Sequence, residues 1–203
     1  MQKTGLELPE AGAPCRLRPC EERDGPAIDA AAAESIERVG KWMSSLTPAY
    51  TLADSLAWAR AASADWHTGS RYEFVILDAV SGRVCGCCGL NRINREDLVA
   101  NLGYWVRESA LRRGIATAAA RMLQEFGLGT VGLKRIEIVI ADGTGSRPVL
   151  APLSGRCFLF RFFPRLKRLS ENAQGLSAPQ TSKFIVDARI VFLRSQRPVG
   201  FYC

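Results

Sequence analysis

The stretch Asn101–Thr117, NLGYWVRESALRRGIAT, confines the chain to a fold in which a strand runs through a tight turn straight into a helix. The alternating segment LGYWV reads as a strand. It is followed by a polar turn with Arg112 and Arg113, then by Gly114, and at once by an apolar stripe of Ile115, Ala118, Ala119, Met122, Leu123 and Phe126 at helical spacing. The first amides of a helix lack intrahelical partners and sit at the positive end of its dipole, so such a junction favours a diphosphate. Gly114 lets the backbone approach closely, and Ala116 and Thr117 keep the next turn narrow. Many α/β folds that bind nothing share this arrangement, so the junction alone does not define an activity.

The rest of the chain supplies a βα start and then a sheet. Arg16 to Pro19 reads as a short strand, and Asp24 is expected to cap a helix from about Pro26 to about Trp42. Thr51-Leu-Ala-Asp54 has the form of a capping box opening a helix from Leu52 to about Trp66, stopped near Gly69. Strands are expected at Tyr72–Asp78, Val84–Arg92 and Leu98–Val106, with a hairpin turn over Ala79–Gly82 and a polar loop over Asn94–Asp97. The helix Gly114–Phe126 then crosses to a strand at Arg135–Ala141, which implies parallel pairing of the two strands it joins.

Separated pieces of this chain, in order, resemble the GNAT superfamily of acetyl-coenzyme A-dependent N-acetyltransferases, and within it the branch that acetylates ribosomal-protein N-termini. They are LRPCEERD at Leu17–Asp24, GKWM at Gly40–Met43, CGLNRI at Cys88–Ile93, NLGYWV at Asn101–Val106, RRGIATAAARML at Arg112–Leu123 and LKRIEIVIA at Leu133–Ala141. The resemblance implies an α/β (α+β) fold with a mixed, mostly antiparallel sheet, a splayed central strand pair and flanking helices. It also implies acetyl-CoA as cosubstrate and an amine acceptor, a ribosomal-protein N-terminus among the candidates. Residues 1–14 read as an N-terminal tail and 15–142 as the N-acetyltransferase domain.

Residues 143–203 depart from the family. Where the family has an Asn-x-x-Ser turn, this chain has Gly143-Thr-Gly-Ser146, so only the serine matches. Pro148 and Pro152 oppose the helix that should follow, since an interior helical proline costs about 3 kcal/mol. Charge marks the same boundary: residues 1–142 hold 17 Lys and Arg against 18 Asp and Glu, and the last 61 hold 10 against 2. The net charge of +7 therefore belongs to the tail. The simplest reading is a domain whose C-terminal third has been replaced by a reading-frame change, with a divergent extension as the rival. The C-terminal part is expected to be irregular or incomplete and to leave the edge of Arg135–Ala141 unpaired, although the FLFRFF run could still collapse on that strand.

No run of about 18 apolar residues is present and Met1–Pro14 has no signal-peptide core, so a cytoplasmic protein is expected. The seven cysteines are then expected as reduced thiols. With His67 the only histidine and no two CxxC-like pairs, no metal site is expected. Cys85, Cys87 and Cys88 interleave with Gly86 and Gly89, as on a crowded strand that backbone or ligand approaches closely.

By the resemblance, backbone groups of Trp105 and Val106 hold the pantetheine arm in the splay, and the turn Arg112, Arg113, Gly114, Ile115, Ala116, Thr117 holds the diphosphate. Leu111 stands where the family has Gln or Arg. Glu137, which interrupts the apolar strand RIEIVI, is the candidate base. Tyr104 is a candidate proton or hydrogen-bond donor to the thiolate or oxyanion, and Ser146 matches a serine near the coenzyme sulfur. Glu34, Trp42 and Tyr50 fall in the region of the acceptor groove. The alternative reading is an impaired CoA-binding remnant, or an RNA- or ribosome-binding protein acting through its basic tail.

Overall fold

The computed structural model describes residues 6–41, 43, 45–141 and 160–163. Its elements run β1 (Cys15–Pro19), α1 (Gly25–Val39), α2 (Leu52–Thr68), β2 (Tyr72–Asp78), β3 (Val84–Asn94), β4 (Val99–Val106), α3 (Ile115–Glu125), β5 (Arg135–Ala141) and β6 (Phe160–Phe163). The strands form one sheet in chain order. β1 through β4 pair antiparallel, while β4 with β5 and β5 with β6 pair parallel. The expected elements are present with ends shifted by a few residues.

Two local details differ from expectation. Asp24 precedes α1, but its carboxylate does not cap that helix: it reaches back to accept the Glu21 N–H at 2.8 Å and pairs with Arg18 at 2.5 Å. The helix start is fixed by Pro26 in its first turn. The second concerns the outer edge of β5, which is not left unpaired as expected. Phe160–Phe163, the FRFF of the aromatic run, pairs parallel with Ile138–Ala141, because an exposed strand edge is a template for any apolar extended segment within reach. The expectations for Trp42 and for Ser146 concern residues outside those described.

α2 begins as read from the sequence, with the Asp54 carboxylate accepting the Thr51 N–H at 2.9 Å and its hydroxyl at 2.7 Å. It ends at Gly69, whose φ of +67° makes it a left-handed cap that a Cβ would strain.

Strand alternation divides the core in two. Tyr72, Phe74, Ile76, Leu90, Leu102, Ile136 and Ile138 face α3 and pack on Ile115, Ala119, Met122 and Leu123. Val75, Leu77, Val84 and Cys87 face the other way, onto Ile28 and Ala31 of α1 and Trp58, Ala59 and Ala62 of α2. Trp66, at the end of α2, closes one edge by meeting Tyr72, Phe74 and Phe126 with ring centroids 5.0–6.0 Å apart. Five cysteines, Cys15, Cys20, Cys85, Cys87 and Cys88, are buried free thiols.

The small residues of β3 have a structural reason. Gly86 has a φ of +147°, and a Cβ there would lie 2.1 Å from the Trp105 carbonyl oxygen, so only glycine allows β3 to approach β4 at this point. Gly86→Ala is expected to cost about 2 kcal/mol or more, since the neighbour is backbone and the conformation is itself strained. At Gly129, where nothing lies within 4 Å of an added Cβ, alanine should stay within about 0.5 kcal/mol of wild type. Urea unfolding of the two variants measures the contrast, and equal midpoints would refute the account.

Candidate active site

The parallel ladder between β4 and β5 runs Val99↔Arg135, Ala100↔Ile136, Asn101↔Glu137 and Leu102↔Ile138, and stops there. Beyond it, Gly103–Val106 keep their partners on β3, whereas β5 continues to Ala141 alongside β6. Among the described residues the β5-facing edge of Gly103–Val106 has no strand partner. The two central strands have parted, and backbone groups of β4 are left facing the gap.

The gap leads to the N-terminus of α3. There a cavity of about 160 Å³ is lined by Val106, Ala110, Leu111, Arg112, Gly114, Ile115, Ala116 and Thr117. The turn is sharply bent, with Arg112 at φ +59° and Gly114, the residue that caps α3, at φ +75°. The N–H of Ala118 bonds to the Gly114 carbonyl at 3.0 Å. The amides of Ile115, Ala116 and Thr117 come before it and lie at the positive end of the helix dipole. Open backbone amides, a helix N-terminus and an unpaired strand edge in one continuous channel suit an extended arm that ends in a diphosphate.

Three anchors fix this turn. Arg107, with its side chain only 5% exposed, donates to the Val84 carbonyl at 3.1 Å and from Nε to Glu34 at 2.9 Å, and its Nη2 also meets that carboxylate. The other oxygen of Glu34 accepts the Ser109 N–H at 2.6 Å, while Ser35 Oγ accepts the Glu108 N–H at 3.0 Å. One turn of α1 thus holds the segment between β4 and the cavity. Those hydrogen bonds, from Arg107 first and then Ser109, hold the Glu34 carboxyl down at about 2. Glu34, placed by resemblance near the acceptor groove, is committed to this anchoring.

Arg113 is anchored as well. Its guanidinium pairs with Asp78 at 2.6 Å, and the other oxygen of Asp78 accepts the N–H of Val80 and both the N–H and hydroxyl of Ser81 in the β2–β3 turn. The donors from Ser81, followed by Arg113, lower the Asp78 carboxyl to about 2. Arg112, by contrast, lines the cavity.

The remaining candidates lie on both faces of the sheet. Tyr104 packs on the α3 side, and burial raises its hydroxyl above the usual value. Glu137 projects from the opposite face, its side chain 15% exposed and paired with Arg135 at 2.9 Å. It stands one register position before the strands part, beside Asn101, whose amide donates to Asn91 at 3.0 Å. Trp105 packs against the α1/α2 cluster. Tyr50 accepts from Ser55 Oγ at 2.9 Å. Arg107 and Asp78 were not singled out from the sequence. No local pattern marks an arginine or aspartate whose partner is 73 or 35 residues away.

Residues 15–151 match the acetyltransferase (GNAT) domain, and the chain belongs to this family of acetyl-CoA-dependent N-acetyltransferases. It is 25% identical over 133 residues, 63% of its length and 69% of the relative's, to the Bacillus subtilis (strain 168) protein named "Putative ribosomal N-acetyltransferase YdaF". Among solved structures, the fold is shared with Mycobacterium smegmatis RimJ in complex with CoA-disulfide, with a TM-score of 0.59 at 24% identity, covering 64% of each chain. It is also shared with the ribosomal-protein-S5-alanine acetyltransferase of Vibrio fischeri, with a TM-score of 0.57 at 14% identity, covering 66% of this chain and 73% of that one. The family uses acetyl-CoA and an amine acceptor. No helix among the described residues is long and apolar enough to cross a membrane.

Two expected outcomes follow from the anchors. Glu34→Ala leaves the buried Arg107 guanidinium without its carboxylate and should cost about 3 kcal/mol of stability at pH 7. Glu34 and Asp78 both have folded pKa values depressed below the ordinary ones, so their contribution is complete above about pH 4.5 and is lost as pH falls toward 2. The Glu34→Ala, Asp78→Asn double variant should therefore unfold with a much flatter acid limb. Thermal unfolding across pH 2–7 reads both, and parallel limbs in wild type and variant would contradict the assignment.

Proposed function

We propose that the protein transfers the acetyl group of acetyl-CoA to the α-amino group of a protein N-terminus, with a ribosomal protein as the first acceptor to try. The observation that carries the reading is the parting of β4 and β5 after Leu102 and Ile138, which opens the β4 edge toward the cavity at α3. The B. subtilis relative, named as a ribosomal N-acetyltransferase, and the Vibrio fischeri ribosomal-protein-S5-alanine acetyltransferase support the choice of acceptor.

In this reading the backbone of Trp105 and Val106 holds the pantetheine arm as an added strand. The amides of Gly114, Ile115, Ala116 and Thr117 hold the diphosphate, with the Arg112 side chain beside them. Arg113 acts through its ion pair with Asp78, which keeps the turn in shape. The bound thioester supplies the acyl carbon. The chain's residues position the amine, exclude water and take up its proton. An α-amino group has a pKa near 7.7–8.0, so a mild acceptor suffices to make it neutral, and positioning supplies much of the remaining acceleration. Glu137 stands at the point where the strands part, on the face away from α3, and receives the acceptor ammonium there. Tyr104 lies across the sheet, on the side where a hydroxyl can donate to the leaving thiolate. Ser146 is proposed near the same sulfur from its match alone.

Acetyl-CoA at a hundred times its dissociation constant should stabilise the fold by about 2.7 kcal/mol and raise the melting temperature accordingly. Gly114→Val should remove that shift by placing a branched side chain where the diphosphate must approach. An equal shift in both proteins would sink the assignment of the turn.

The acceptor is tested with peptides that begin with Ser, Ala or Met, following CoA release and locating the acetyl group by mass spectrometry. Acetylation of lysine side chains in preference to the α-amine would overturn the N-terminal reading. Glu137→Gln should lower kcat/KM for the peptide by roughly ten- to a hundredfold while acetyl-CoA binding is unchanged. Unaltered kinetics across pH 6–9 would remove Glu137 from the site.

A further inference from the structure

Glu73 on β2 is 8% exposed, and burial, Arg71 and Asp65 are the influences on its carboxyl group. Arg71 and Asp65, the nearest charges, are joined to each other at 2.7 Å. Strand alternation places Glu73 with Val75 on the α1/α2 face. Its carboxylate leans across to the next strand: a Cβ on Gly89 would lie 2.1 Å from Glu73 Oε2. β3 therefore carries no side chain at this position because the carboxylate occupies the place.

The same row continues onto β4, where Gly89 pairs with Gly103. A Cβ on Gly103 would meet Asn91 Nδ2 at 3.6 Å, an ordinary contact distance, and among the described residues no other atom lies within 4 Å of it. Gly103 is also the first β4 residue past the last pair with β5, Leu102↔Ile138. Adjacent strands lie about 4.8 Å apart, so a carboxylate over Gly89 is within direct or single-water reach of an atom above Gly103. Glu137 and Asn101 stand in the next row of the same face. A row of two glycines, bordered by the Asn91 amide, thus runs from a buried carboxyl group to the point where the strands part.

We propose that Glu73 is the proton acceptor of the transfer, serving an acceptor ammonium seated over Gly103. The inference rests on the amine-acceptor reading above and deepens it. The ammonium gives one proton to the Glu73 carboxylate, directly or through one water. The neutral nitrogen then forms a bond to the thioester carbonyl carbon as the carbon–sulfur bond breaks. The second nitrogen proton passes to the departing thiolate, giving amide and free thiol, and Glu73 returns its proton to solvent.

The surroundings suit this role. Burial is the main cause that raises the Glu73 carboxyl to about 7, with Arg71, just before β2, lowering it and Asp65 of α2 raising it. The thiols of Cys87 and Cys88 on β3 also feel its charge, but burial holds both well above their usual value, so they remain neutral. Glu137 on β5 faces the row from its far side. A carboxyl group poised near neutrality accepts a proton from an α-ammonium and loses it again with little cost either way.

The test compares wild type, Glu73→Gln and Glu73→Asp by three measurements. With acetyl-CoA and a Ser-initiated peptide, wild-type kcat should rise with pH through about 7. Glu73→Gln should lose roughly a hundredfold in kcat together with that limb, and Glu73→Asp should keep the limb at a reduced rate. The acetyl-CoA melting shift should be equal in all three. Difference infrared spectra of the unliganded protein should show a protonated carboxyl band below pH 7 that fades above it and is absent from Glu73→Gln. Because the buried carboxylate disfavours the fold as it ionises, Glu73→Gln should also melt at or above the wild-type temperature at pH 8. Retained kcat and pH limb in Glu73→Gln, or an infrared band that does not titrate near neutrality, overturns the role of Glu73 and leaves the transferase reading standing. Failure of wild type to acetylate any of the peptides while acetyl-CoA still binds overturns the N-terminal acceptor reading and this inference with it.

Discussion

Everything in the candidate site depends on a hydrogen-bond ladder that stops. A parallel pair of buried strands ordinarily remains zipped, because unpaired backbone groups away from water are costly. Here β4 is held on its other side by β3 through to Gly86↔Val106, so it can leave β5 after Leu102 without losing its place in the sheet. β5 in turn has β6 on its outer side over Ile138–Ala141. Each strand is steadied from outside, and the β5-facing backbone of Gly103–Val106 has no strand partner among the described residues.

That arrangement requires the end of β4 to be rigid in spite of its missing neighbour. Packing supplies part of the rigidity through Val106 and Ala110 in the α3-side core. The rest is polar. Arg107 is buried, and Glu34 gives one oxygen to it and the other to the Ser109 amide, so a single carboxylate satisfies both a charge and a backbone donor. Such a pair gains less by attraction than it loses when one member is removed. Its value is to fix where the chain turns toward the α3 N-terminus.

Most of the fold was legible in the sequence because it is written locally. The Thr51–Asp54 box and Gly69 bracket α2, and the 3–4 residue stripe from Ile115 to Phe126 marks α3 and the face it buries. The turn at Gly114 could likewise be read as a left-handed cap before a helix. What was not legible depends on register across the sheet. That Glu73, Gly89 and Gly103 form one row follows from strand pairing, and that Arg113 meets Asp78 and Arg107 meets Glu34 follows from how helix and turn pack on the sheet, none of which a single segment encodes. Glu73 reads locally as one polar residue in the apolar strand YEFVILD, indistinguishable from a solvent-facing position. The partner of β5 was misjudged for a related reason. Composition and prolines in residues 143–203 signalled a departure from the family pattern and outweighed the FLFRFF run, the apolar segment that could reach the open edge and whose Phe160–Phe163 pairs with β5.

Asp78 joins two parts of the molecule that are far apart in function. One of its oxygens closes the β2–β3 hairpin through Val80 and Ser81, and the other holds Arg113 beside the cavity. The hairpin tip is exposed, with Val80 97% accessible. Its order and that of the cavity turn are therefore two readings of the same carboxylate. Free energy linking two sites is reciprocal. Whatever tightens the turn at the α3 N-terminus also steadies the hairpin, and disturbance at that remote tip is felt, through one side chain, in the turn beside the cavity.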